Sequence, residues 1–177
     1  MEKTVSGVTI ELVRGDIASQ PGIQAVVNAA NAGLRRGGGV AGAIHRAAGP
    51  GLEEECIPLA PIKPGEAVIT GGHNLPNDYV IHCLGPVYGR DKPESLLLAA
   101  CYKNAVRLAE EKGIASIAFP AISAGIFGYP LKDAAEVALG AILEVLPSVR
   151  HLGRIRFVLY GQSDLEVFSN VLTSLDQ

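Results

Sequence analysis

Hydrophobic and polar positions along the chain change period several times, and each change marks an element. Val8, Ile10 and Leu12 alternate with Thr9 and Glu11, which predicts a half-buried strand over residues 8–13. Ala25-Val26-Val27-Asn28 is a short apolar run and predicts a second strand. Residues 31–39 lose all periodicity and end in Gly37-Gly38-Gly39, after which 40–48 reads as a helix broken at Gly49-Pro50-Gly51. A short helical turn fits 52–56, and Pro58, Pro61 and Pro64 punctuate the next stretch of chain. Residues 66–70 and 79–84 predict two strands around Gly-Gly-His-Asn-Leu-Pro. A long helix is expected from about Pro93, a favourable first-turn residue, to Lys112, with Gly113 as its stop. Residues 116–119 form a short buried strand. A loop over 120–129 leads to a helix over 131–146 with Leu131, Ala135, Ala138, Leu139 and Ile142 on its apolar face. Residues 154–160 predict a further strand, and Ser163 with Glu166 has capping-box spacing for the last helix.

Elements that are mixed early and alternate β-α-β-α late predict a three-layer α/β/α sandwich with a central mixed, largely parallel sheet. Ligands of such sheets bind outside the carboxyl ends of the strands. The loops after Val13, Asn28, Phe119 and Tyr160 are therefore expected to share one rim. No linker, repeat or low-complexity tract interrupts the chain, so residues 1–177 are read as one domain.

Composition narrows the function classes. Hydrophobic residues make up 48% and charged residues 19%, the profile of a globular chain. A net charge of −3 and a pI near 5.8 argue against a protein that binds nucleic acid through its phosphates. They leave room for an anionic small ligand, because backbone N–H groups bind phosphate without net positive charge. Cys56, Cys83 and Cys101 form no CxxC or Cys/His pattern, so they read as buried free thiols rather than zinc ligands or a disulfide framework. The first residues lack an apolar signal-peptide core, and the chain has no run of 18 apolar residues, so a cytoplasmic location and no membrane partner are expected.

Gly37-Gly38-Gly39-Val40-Ala41-Gly42 matches GxGxxG, yet a dinucleotide fold is not implied. Several loop residues separate the motif from its strand, and the acid expected about 20 residues on is missing. Glycines ahead of a helix still permit close approach of a ligand, and the helix N-terminus favours an anion. Ser123-Ala124-Gly125-Ile126-Phe127-Gly128 has the same character before the helix at Leu131. Either loop alone could be a plain turn; two on one rim suit two linked phosphates. His82 lies within an apolar strand and reads as a satisfied core histidine rather than a general base. His45, on the glycine-loop helix, could face either way.

Five ordered segments carry a more specific signal. They are Gly15-Asp16-Ile17, then Val27-Asn28-Ala29-Ala30-Asn31, then the stretch from Gly37 to Ile44, then Ile81-His82-Cys83-Leu84-Gly85-Pro86, then the stretch from Phe119 to Gly128. Together they resemble the macro domain family over nearly the whole chain. The resemblance implies ADP-ribose as ligand, with no metal and no organic cofactor. Asp16 would accept the adenine amine, with the Ile17 backbone beside the ring and Tyr160 stacked on it. Asn28 and Asn31 belong to the implied ligand set, Asn31 at the distal ribose. Gly38, Gly39 and Val40 would line that ribose and its phosphate. Ser123, Ala124, Gly125, Ile126 and Phe127 would wrap the diphosphate, with Phe127 over the distal ribose.

The resemblance also implies partners and an activity: mono-ADP-ribosylated proteins met by a monomer, and hydrolysis of an ADP-ribosyl ester, on protein or on O-acetyl-ADP-ribose. Asn31 and Gly39 would position the water. Hydrolytic members of the MacroD type commonly carry an aspartate where this chain has Ala41, an acid that can orient or activate water. Alanine can do neither, so a weakened hydrolase and a non-catalytic ADP-ribose reader are both compatible with the sequence.

Overall fold

The computed structural model describes residues 1–175. Seven strands form one sheet in the order β1-β2-β7-β6-β3-β5-β4: β1 (Glu2–Val5), β2 (Val8–Arg14), β3 (Ala25–Ala29), β4 (Ala67–Gly71), β5 (Tyr79–Cys83), β6 (Ser116–Phe119) and β7 (Arg154–Leu159). The five central strands are mutually parallel, and β1 and β4 pair antiparallel at the two edges. Five helices cover the sheet: α1 (Gly39–Ala48), α2 (Pro50–Cys56), α3 (Glu94–Glu111), α4 (Leu131–Val145) and α5 (Gln162–Ser174). The expected three-layer sandwich with a mixed, largely parallel sheet is the observed architecture.

Strand alternation sorts the core into two layers. Ala25, Val27, Ile117, Phe119, Ile155 and Phe157 face one way, onto Leu98, Tyr102, Ala138, Leu139 and Phe168 of α3, α4 and α5. Val26, Val80, Ala118 and Val158 face the other way, with Ile44, Ala48, Leu52 and Cys56 of α1 and α2. Buried on both faces, the central strands must be short apolar runs, which is how they appear in the sequence. Among the described residues no helix is long and apolar enough to cross a membrane.

Three local expectations need correction. The capping box is not made: α5 begins at Gln162 with Gly161 as its N-cap and no side-chain cap, so Ser163 already lies in the first turn. β7 ends at Leu159, and a two-residue connection leaves no room for a later start. Pro93 sits just outside α3 as its N-cap, and its carbonyl accepts the Leu97 N–H. The strand β1 was not anticipated, because Glu-Lys-Thr-Val is short, polar and half exposed. It joins β2 through a tight turn in which Ser6 and Gly7 both take positive φ (52° and 80°), the signature of a two-residue type I′ hairpin.

Candidate functional site

Because β2, β7, β6 and β3 are parallel neighbours, their carboxyl ends line up on one edge, as expected. The loops leaving them stand side by side: residues 15–24 after β2, Tyr160-Gly161 after β7, 120–130 after β6 and 30–38 after β3. Three interstrand steps of about 4.8 Å set the outer two about 14 Å apart at their roots.

At the β2 end, Asp16 opens a tight turn. Its Oδ1 accepts the Ala18 N–H at 2.9 Å, and its carbonyl accepts the Ser19 N–H at 3.0 Å and Gln20 Nε2 at 2.8 Å. A carboxylate has further acceptor capacity beyond that one bond, so Asp16 both shapes the turn and presents an acceptor at the rim. Ile17 is buried against Val158 and Ile23, which seats the turn. Beside it Tyr160 leaves β7 and stands 90% exposed, an aromatic face with no core duty.

The loop after β6 is an open run of backbone donors. Ser123 holds φ at 65°, and its hydroxyl donates to the Pro86 carbonyl at 2.8 Å, so its side chain points inward rather than at the rim. Gly85 is glycine for the same reason: a Cβ there would run into Ser123 and Ile122. The loop closes through Gly128 N–H to Gly125 O and Tyr129 N–H to Ser123 O, while the N–H groups of Gly125, Ile126 and Phe127 meet no protein acceptor among the described residues. Ile126 is 90% exposed, and Phe127 is half-buried against the α1/α2 layer.

The loop after β3 is shaped by Asn31. Its Nδ2 donates to the Arg35 carbonyl at 2.8 Å and its Oδ1 accepts the Arg35 N–H at 2.9 Å, closing residues 31–35 into a ring. One amide hydrogen and one lone pair remain for a ligand. The helix α1 then begins without a side-chain cap and without an acid in its first turn, which leaves the N–H groups of Gly39, Val40 and Ala41 free of intrahelical partners. Gly37 separates the two parts of this end. A Cβ there would lie 3.2 Å from Asn31 Nδ2 and 4.0 Å from the Ala41 methyl carbon.

Asn28, of the implied ligand set, lies on β3 beneath the rim. Its side chain is buried, with Nδ2 3.1 Å from His82 Nδ1. With Nδ1 accepting that bond, His82 carries its proton on Nε2, directed at Thr70 Oγ1 at 3.0 Å, with Cys56 Sγ at 3.8 Å. Burial, reinforced by His45, pushes His82 down to about 3, so it is neutral and bound on both sides, the core histidine expected. His45 faces inward; burial lowers it most, with Glu53 opposing and Arg36 assisting. Burial and the nearby Glu55 and Glu53 raise the Cys56 thiol to about 11, and burial raises Cys83 and Cys101 as well. All three cysteines are free and buried. The polar groups presented on this rim are therefore the Asp16 carboxylate, the Asn31 amide and backbone N–H groups, with Tyr160 as the exposed aromatic.

Sequence reasoning missed the support beneath Asp16. Glu11, assigned outward by alternation, is buried and pairs with Arg154 and with Arg156 Nε at 2.6 Å. Asn77, also buried, donates to the carbonyls of Gln20 and Ile23 at 2.8 and 2.6 Å.

Residues 27–138, which contain the glycine loop, His82 and the loop after β6, match the family model for the macro domain. The chain belongs to the macro domain family. A macro domain-containing protein of Chlorobaculum tepidum is 45% identical over 168 residues, 94% of this chain and 97% of that protein. The O-acetyl-ADP-ribose deacetylase of Klebsiella pneumoniae is 43% identical over 169 residues, 93% of this chain and 96% of that protein. Among solved structures, a glycine-to-valine mutant of the Oceanobacillus iheyensis macrodomain with ADPR superposes with a TM-score of 0.95 at 37% identity, covering 99% of this macro domain and 98% of that chain.

Proposed function

We propose that this macro domain, spanning residues 1–177, binds ADP-ribose in an extended pose along the carboxyl rim. The observation that carries the reading is the order of the four loops. A carboxylate and an exposed aromatic stand at the β2/β7 end, unpartnered N–H groups follow at β6, and a second set with Asn31 lies at β3. That order matches adenine, diphosphate and distal ribose. Asp16 takes the adenine amine, the Ile17 backbone lies beside the ring, and Tyr160 stacks on it. The backbone from Ser123 to Phe127 and the α1 N-terminus at Gly38, Gly39 and Val40 hold the phosphates. Asn31 and Phe127 bracket the distal ribose, and Asn28 supports that end from beneath through His82. Backbone donors at the phosphates reconcile an acidic chain with an anionic ligand.

The activity that fits this pose is hydrolysis of an ester on the distal ribose, either the acyl link to a mono-ADP-ribosylated protein or the acetyl group of O-acetyl-ADP-ribose. Water adds to the ester carbonyl, the ribose oxygen leaves with a proton, and free acid and ADP-ribose result. Asn31 and the Gly39 N–H position the water, and a phosphate oxygen of the substrate accepts its proton. With alanine at position 41, across Gly37 from Asn31, the first turn of α1 offers no acid for that role, so turnover is slow. The same alanine favours a second reading, a reader that binds ADP-ribose without cleaving it. The protein acts as a monomer in the cytoplasm, on ADP-ribosylated proteins rather than nucleic acid. Incubation with a protein mono-ADP-ribosylated on acidic residues tests the enzyme reading: release of ADP-ribose above the uncatalysed rate supports it, and tight ADP-ribose binding without release leaves the reader.

A further inference from the structure

We propose that Gln20 is a positioning residue for base selectivity, holding the Asp16 turn in register with β7 through Arg156 and Glu11. The inference rests on the reading of Asp16 as the acceptor of the adenine amine. Gln20 is buried, and each end of its amide is engaged: Nε2 donates to the Asp16 carbonyl at 2.8 Å, and Oε1 accepts from Arg156 Nη1 at 2.9 Å. The guanidinium can only donate, which fixes the amide in this orientation. Arg156 is itself held, with Nε on Glu11 Oε2 at 2.6 Å, and Glu11 is its direct partner in the β2/β7 register. The Gln20 carbonyl is tied down separately by Asn77. A buried carboxylate, a guanidinium and an amide thus run in line from the middle of strand β2 to the main chain of one rim residue.

This arrangement exceeds what folding a surface turn requires, since Asp16 already caps its own turn through Ala18. What the line of bonds adds is position: it sets how far the Asp16 carboxylate stands from Tyr160 on the neighbouring strand, the gap an adenine ring would enter. A carboxylate accepts from the amine of adenine and repels the carbonyl oxygen that replaces it in hypoxanthine, so a fixed Asp16 discriminates between the two bases and a loosened one does not.

The test compares ADP-ribose with its hypoxanthine analogue by calorimetry, alongside thermal unfolding. The wild-type protein is expected to prefer ADP-ribose by about tenfold or more, the scale of one hydrogen bond to a charged group. Gln20→Glu keeps an acceptor for Arg156 but loses the donor to Asp16. It should weaken ADP-ribose about tenfold and change the analogue by less than about twofold, with the thermal scan verifying a cooperative unfolding transition. Arg156→Lys keeps a charge beside Glu11 but cannot serve Glu11 and Gln20 as a fork, and should narrow the preference in the same direction. A preference that survives in both variants, or an equal loss for both ligands, overturns the role of Gln20 while the Asp16 reading stands. A wild-type protein with no preference, together with an Asp16→Ala variant that binds normally, overturns both.

Discussion

The two ends of the rim are built by different means. At the β2/β7 end, side chains do the holding: Glu11, Arg156, Gln20 and Asn77 brace one turn, and its exposed groups are a carboxylate and a tyrosine. At the β3/β6 end the presented groups are mostly backbone, the free N–H groups of 125–127 and of the first turn of α1, with Asn31 folding its own loop. The difference teaches where each kind of substitution should act. Side-chain changes should tune recognition at the braced end. At the backbone end, recognition should be altered mainly by adding atoms, and under the proposed hydrolysis the position expected to govern rate is Ala41.

The largest effect is expected at the backbone end, on rate. Ala41→Asp places a carboxylate in the first turn of α1, next to the glycine loop, and a positioned general base contributes about 10²–10⁴-fold. Release of ADP-ribose from an aspartyl or glutamyl ester should rise on that scale, with ADP-ribose affinity held within about tenfold. If the wild type already turns over as fast as the variant, substrate-phosphate activation is sufficient and Asn31→Ala should abolish the reaction.

Binding is hit hardest by Gly125→Glu. A Cβ at Gly125 meets no atom within 4 Å, so the fold accepts it, while the new side chain and charge occupy the phosphate path. Loss of about a hundredfold or more in ADP-ribose affinity is expected, with unfolding unchanged. An affinity within a few-fold of wild type would remove this loop from the phosphate site. At the braced end, Asp16→Ala should cost about 1.5–3 kcal/mol, or roughly ten- to a hundredfold, for the lost bond to a charged group. An unchanged dissociation constant would take Asp16 out of the adenine site.

A smaller effect concerns the floor of the backbone end. His82 titrates near 3 in the folded protein and near 6.5 when unfolded, so between those values the unfolded chain binds more protons. Its contribution to stability is complete above about pH 6.5 and falls as pH drops, by about 2 kcal/mol at pH 5. Denaturant titrations at pH 7 and pH 5 should show a loss in the wild type that is smaller by about that amount in His82→Gln, the remainder including the buried His45. Equal pH dependence in both proteins would mean that His82 is not the group responsible.

The same contrast explains what the sequence could disclose. The strands carrying the rim are short apolar runs, the helices have clear periodicity, and the glycine loop announces itself by composition, so the backbone end was legible. The brace was not. Glu11 and Arg156 are 145 residues apart, and nothing in a Thr-Ile-Glu-Leu alternation says that the glutamate turns into a buried ion pair rather than into water. Asn28 and Ser123 fall within motif segments, but whether a side chain aims at the rim or inward depends on distant partners, His82 for one and Pro86 for the other. The fold thus follows from local periodicity, whereas the direction of a polar side chain depends on contacts that periodicity does not encode.

The central claim is that both ends act on one ligand, and calorimetric titration with ADP-ribose, ADP and AMP tests it most directly. Affinity should rise from AMP to ADP to ADP-ribose as the ligand extends from the braced end across the diphosphate loops to the distal ribose. Equal affinity for AMP and ADP-ribose would contradict the account.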